Sequence, residues 1–282
     1  MALTTTLKVL REAIADQLGL LIRTSISVDA DPVFTVPSLS DKTPDAEKMR
    51  DSYLYQSGEL RRILTYGYPT NDQVTVTRAT AITVGAAEIY FMLDPDELNT
   101  AINEALQELY FIDRATLTLL ANTYTYVLPT WIQQRGQVLG AKWRDITLLT
   151  SIPSEEEVSS YRIIEQTNVC TLFINQALRD ITTFDVQVSA RRMYGTLATD
   201  SATTTCPYPL IFAVATVKVL HKLFNKYGKG ITSLFGQKMV VAEGEMAKNK
   251  MDWLPKLTAR EYIEEEAWQG IDGNANFDYP NW

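Results

Sequence analysis

The chain has 282 residues, 46% hydrophobic and 21% charged, enough apolar material for one large or two modest packed domains, and this excludes a wholly disordered chain. Its 26 basic side chains against 34 acidic ones leave a formal charge of -8, so the sequence as a whole gives nucleic acid no electrostatic grip. Two cysteines without CxxC spacing, Cys170 and Cys206, exclude a disulfide framework and a thiolate zinc site and fit a reducing interior, with a single bridge between them left open.

Residues 7–21 place Leu7, Leu10, Ile14, Leu18 and Leu21 at three- and four-residue spacing after a threonine cluster able to cap a helix. The spacing predicts an amphipathic helix, and residues 1–23 form the first segment. From 24 to 93 the pattern turns to short aromatic and β-branched runs broken by Pro69-Thr70-Asn71-Asp72 and Gly85, which predicts a small antiparallel barrel or sandwich. Asp94, Pro95 and Glu97 then open a helix: a side-chain cap, a proline where no N–H is needed, and a carboxylate opposing the dipole. Leu98, Ile102, Ala105, Leu106 and Leu109 share its face, and the segment 94–113 is expected to stay helical to about Ile112.

Strand signals fill 114–194, including one long run over 138–152, with Glu155-Glu156-Glu157 and 175–180 read as loops. The stretch 195–206 has the composition of a flexible connector. Residues 207–256 then predict two helices, the first ending at Gly228 and the second kinked near Gly236 or Gly244 and closed by Pro255. No run approaches the ~20 apolar residues that span a bilayer, and the first ten residues lack the pattern of a secretory signal. The expected class is therefore α+β: an N-terminal helix, a central helix and a C-terminal helix pair framing two inserted antiparallel β modules.

The inventory for catalysis is thin. The one histidine, His221, lies between Lys218 and Lys222 without a catalytic motif, and G-x-S-x-G is absent. Residues 228–233 resemble a phosphate loop only superficially, since the G-x-x-x-x-G-K-[ST] frame is missing and a helix, not a strand, precedes them. The runs Glu155–Glu157 and Glu264–Glu266 lack the alternating ligands and turning glycine of a calcium loop. The expectation is no enzyme, no cofactor and no metal, with a glycan hydrolase and a glycan-binding β module as weaker classes.

Two surface features exceed a plain solvated reading. Lys218, Lys222, Lys226 and Lys229 fall on one helical stripe, and residues 217–256 hold eight basic and three acidic side chains. The segment 257–282 has the opposite sign, with one basic and six acidic residues, yet carries Tyr262, Trp268, Phe277, Tyr279 and Trp282. Acidic, glycine-containing and aromatic, it reads as an arm that docks on a partner, or else as a tail packed on its own domain. The lysine stripe could receive a neighbour's arm, face DNA phosphates, or be a solvated face.

The stretches LKVLREAIADQLGLL (7–21), GELRRILTY (58–66) followed by VTV (74–76), DPDELN (94–99) leading into AINEAL (101–106), and ANTYTYVLP (121–129) together resemble the head-tail adaptor (neck or connector) proteins of tailed bacteriophages. The similarity is one of element order over 1–253; the arm after Leu257 matches no part of it. The resemblance implies a virion structural protein, made in the host cytoplasm and located in the neck between capsid and tail. Its copies would form a ring, expected to number twelve, under the portal protein, extend the DNA channel and dock the next neck or tail protein, with DNA passing through the lumen unbound and no membrane involved. A twelvefold ring of -8 subunits would carry on the order of -100 charge, which keeps DNA from sticking to the wall. A tail-side ring, such as a tail terminator or a podophage-type tail tube protein, is the alternative.

Overall fold

A computed structural model describes residues 4–37, 51–66, 72–77, 82–146, 153–158, 161–167, 169–174 and 183–258. In chain order the elements are β1 (Thr5–Thr6), α1 (Leu7–Leu18), β2 (Leu21–Ile26), β3 (Val28–Ala30), β4 (Val33–Thr35), β5 (Ser52–Gln56), β6 (Glu59–Tyr66), β7 (Gln73–Val76), β8 (Gly85–Phe91), α2 (Pro95–Glu108), β9 (Tyr110–Leu117), β10 (Thr125–Val127), β11 (Val138–Asp145), β12 (Pro153–Glu157), β13 (Tyr161–Gln166), β14 (Val169–Ile174), β15 (Phe184–Met193), β16 (Thr203–Thr204), α3 (Tyr208–Tyr227) and α4 (Thr232–Thr258). The class is mixed α+β, as the patterning requires, and the chain divides into two compact units. One combines Met1–Glu108 with Gly195–Lys250; the other combines Leu109–Tyr194 with Met251–Trp282.

In the first unit α1 is capped by Thr6, whose hydroxyl accepts the Val9 N–H at 3.3 Å. Leu7, Leu10, Ile14 and Leu18 are buried along one face, each worth about 1.5–3 kcal/mol of removed apolar surface. The expected helix to Leu21 is too long. Gly19 adopts φ +70°, its N–H reaches back to the carbonyls of Ala15 and Asp16, and Leu21 already opens β2. The helix α2 begins with a reciprocal box: the Asp94 N–H donates to Glu97 Oε2 at 3.0 Å and the Glu97 N–H donates to Asp94 Oδ1 at 2.7 Å. Its buried side, Leu98, Ala101, Ile102, Ala105 and Leu106, is the face marked by the spacing. It stops at Glu108 instead of Ile112, because the alternating run from Tyr110 pairs as β9 with β15 over eight residues.

The expected antiparallel, barrel-like module is one sheet of seven strands, in the order β2-β8-β5-β6-β7-β4-β3. Strand β8 lies between β2 and β5, with Ile89 opposite both Ile22 and Leu54, and Ile89, Tyr90 and Phe91 are buried. The β5–β6 hairpin turns on Ser57 and Gly58 at φ 50° and 91°; glycine takes the second position without a Cβ penalty. The supposed connector 195–206 is not free: β16 pairs with β1, Leu197 is buried, and the Asn103 side chain bonds both the N–H and the carbonyl of Leu197. Its small polar residues give the composition of a linker, but their backbone groups find partners near α1 and α2. Helix α3 buries ten residues around a broad arc. Helix α4 runs uninterrupted through Gly236 and Gly244, and Pro255 lies inside its last turn, so the expected interruption and stop are both absent. Each glycine costs only about 1 kcal/mol against alanine, which continuous helical bonding can absorb.

The second unit is a sandwich of two antiparallel sheets, β12-β11-β15-β9 and β10-β14-β13. Tyr126, Leu128, Trp143, Cys170, Leu172, Val186 and Val188 fill the core they share. The long strand expected over 138–152 ends at Asp145, and the glutamate run read as a loop is strand β12, paired with β11. Consecutive carboxylates lack the alternation that marks a strand, and pairing to the neighbour decides the matter. The loop expected over 175–180 lies outside the described residues.

Candidate functional site

The densest polar cluster in the first unit is centred on Arg11, which α1 carries on its buried face with only 1% of the residue exposed. Its Nη1 and Nη2 donate to the two oxygens of Asp200 at 2.6 and 3.0 Å. Nη1 also donates to Asn99 Oδ1 and Nε to the Tyr90 hydroxyl, both at 3.2 Å, while the guanidinium stands 5.3 Å from the Tyr55 ring centre. Tyr55 donates to Asp200 and Tyr90 donates to Glu88, at 3.2 and 2.7 Å. The parts come from α1, β5, β8, α2 and the strap before β16, so a single cation ties five segments together.

The electrostatics follow from this geometry. Hydrogen bonding to Arg11 holds the Asp200 carboxyl below its usual range despite partial burial. Burial pulls the Arg11 pKa down, but Asp200 and Tyr90 outweigh it and the net shift is upward. Burial raises Glu88, with the nearby Glu12 carboxylate adding to it and the Tyr90 hydroxyl opposing it. A cleft of about 700 Å³ opens beside the cluster, lined in part by Lys8, Arg23, Glu88 and Asn99. Its charges are largely paired: Arg23 bonds Glu12 and Asp16, and Lys8 stands 3.5 Å from Glu12. The arrangement is a tether between segments, since each member faces an opposite charge or a hydroxyl of the same protein.

The lysine stripe has a role that the sequence reading did not include. Lys218 pairs with Glu108 at 2.7 Å, Lys222 with Glu104 at 2.8 Å and Lys226 with Glu97 at 2.9 Å, joining α3 to α2 rung by rung. Lys226 also donates to the Met92 carbonyl, and Lys250 from α4 shares Glu108. These cations are occupied by glutamates more than one hundred positions away, so they are not an open basic track for DNA or for an arm. The Lys229 side chain, and Tyr262, Trp268, Phe277, Tyr279 and Trp282, lie outside the described residues. The same holds for Glu264–Glu266.

The remaining candidates separate. His221 is exposed on α3, and residues 228–231 form one 3-10 turn leading into α4. Cys170 and Cys206 are both buried free thiols, which closes the question of a bridge. Among the described residues no three His, Cys, Asp or Glu side chains gather where they could hold a metal ion, and no helix is long and apolar enough to cross a membrane.

Two surfaces were not marked by the sequence. On β10 and β14 the outward Val127, Val169 and Phe173 are exposed, and Tyr124 stacks on Phe173 with ring centres 6.4 Å apart. In the first unit a groove of about 310 Å³ runs between α1 and α4, over Leu18, Leu234, Val241 and Ala242. Alternation along β14 could have shown the first; the second depends on how two helices distant in sequence meet. No protein-family model matches the chain, and no curated protein matches it.

Proposed function

We propose that this chain is a structural component of a tailed-phage virion, a head-to-tail adaptor. Its copies form a ring, expected to number twelve, beneath the portal protein, continue the DNA channel and present a surface to the next neck or tail protein. The observation that carries the reading is the order of elements. A capped helix, an antiparallel β module, a second capped helix, another β module and two closing helices succeed one another, the order on which the resemblance rests. The -8 charge supports it, because a lumen wall of that sign lets DNA slide. So does the self-contained polar chemistry, in which buried and half-buried charges are spent on joining segments of the fold. The acidic aromatic arm 257–282 holds layers or neighbouring copies together in this reading.

The test is reconstitution. Purified chain is added to DNA-filled, portal-bearing capsids that lack a neck, and the complexes are imaged with their rotational symmetry counted. A ring seated on the portal is the expected result. Binding to isolated tails instead of capsids would move the chain to a tail-side ring, and a monomer that joins neither would overturn the reading.

A further inference from the structure

Helix α4 is apolar on two opposite sides, and the fold covers one of them. Phe235, Met239, Ala242, Met246 and Asn249, spaced four, three, four and three, are buried or half-buried. On the far side of the helix Val240, Gly244, Ala247 and Met251 repeat the same spacing, and all four are exposed. We propose that this second stripe pairs, in parallel, with the same stripe of a second copy of this chain. The pairing is read from α4 alone and does not require the adaptor reading.

The stripe has the form of a helix seam. Val240 and Met251, at 70% and 77%, are the two most exposed large hydrophobic side chains among the described residues. Steps of four and three residues are the period by which two helices pack along their length. Between the large ends stand Gly244 and Ala247. A Cβ on Gly244 would meet no other part of the chain within 4 Å, so packing within one copy gives no reason for a residue that weakens a helix interior. A second helix lying over the stripe gives one, because two small side chains let the axes approach.

Charge selects the occupant and its direction. Glu243 flanks the stripe on one side and Lys248 on the other; both are exposed, and among the described residues neither has a salt-bridge partner. In a parallel pair a side chain on one flank reaches the opposite flank of its neighbour five positions on, which sets Glu243 against Lys248 of the second copy. An antiparallel pair sets each flank against its own kind. Lys248 would then meet Val241, and Glu243 would meet Lys250, a cation already held by Glu108 at 3.0 Å. A parallel pair also keeps both copies pointing the same way, as members of a cyclic ring do.

The seam is short. From Val240 to Met251 it runs about 17 Å at ~1.5 Å per residue, along a helix ~10 Å wide, well below the ~800 Å² per partner of a stable interface. Pairing is therefore expected at raised concentration or within an assembly.

The test is a cross-link in full-length protein. Chain carrying Met251→Cys is oxidised mildly at raised concentration, and a disulfide-linked dimer is expected on a non-reducing gel, since a parallel pair sets this position against itself. The native Cys170 and Cys206 are buried, and the unsubstituted chain is the baseline. Val240→Glu, added at an exposed position of the stripe, is expected to lower the dimer yield about tenfold by placing two carboxylates in an apolar seam. Glu243→Lys and Lys248→Glu are each expected to lower it roughly threefold, and the two together to restore it. If Val240→Cys and Met251→Cys chains link only to each other when mixed, the pairing is antiparallel and the assigned register is overturned. No dimer in any format, or a yield indifferent to Val240→Glu, would overturn the stripe as an interface between copies. Capsid binding is no part of the readout, so the adaptor reading and this pairing can fail separately.

Discussion

Removing either end of the Arg11–Asp200 pair should have unequal consequences, because the two partners differ in access to water. Arg11 is 1% exposed in its side chain, whereas Asp200 is 39% exposed. Asp200→Ala strips the bidentate acceptor from a guanidinium that is almost fully buried, and a buried charge left without its partner costs about 3–5 kcal/mol. Arg11→Met keeps most of the aliphatic stem packed and leaves a carboxylate that solvent can take over, so the loss is that of charged hydrogen bonds, about 1.5–3 kcal/mol. In the double variant no buried cation remains, and its stability should lie near that of Arg11→Met alone. Urea unfolding followed by circular dichroism, run on the four proteins of this cycle, reads the coupling directly; it should equal the whole cost of Asp200→Ala, about 3–5 kcal/mol. If Asp200→Ala were milder than Arg11→Met, or if the two losses simply added, the cluster would not be the tether described above.

Three further outcomes follow from the same structure. Asp200 has a lowered pKa in the folded protein, so its contribution is full above the ordinary carboxylate value of about 3.9 and is lost as pH falls through the lowered folded value; Asp200→Asn should flatten that acid-side loss in a pH series of thermal melts. Leu106→Asp sets a charge on a fully buried face of α2 at a cost of several kcal/mol, and the variant should be recovered unfolded; a soluble, ring-forming variant would refute the packing. Lys222→Ala, by contrast, breaks a half-exposed ion pair and should change stability by no more than about 1 kcal/mol in the same urea assay. A fourth outcome concerns the arm: truncation after Leu257 should leave the far-ultraviolet circular dichroism and melting midpoint unchanged while adaptor occupancy on capsids drops.

The sequence by itself determined the features whose causes are local. The Asp94–Glu97 box, the buried face of α2, the Thr6 cap and the broad apolar arc of α3 are written in residues three or four apart, and the structure has them where the spacing puts them. The mixed class was legible for the same reason. Tertiary structure decided what depends on distant partners. Glu155–Glu157 became a strand because β11 offers it a ladder, and 195–206 became a docked strap because β1, Asn103 and Arg11 receive it. Arg11 and Asp200 are 189 positions apart, and Lys222 and Glu104 are 118 apart; no periodicity links such pairs. The lysine stripe was visible as a row of charges, but whether a row is open or spent depends on what lies across from it, and that is fixed by helix packing. The groove between α1 and α4 is of the same kind, a shape made where two segments more than two hundred residues apart meet.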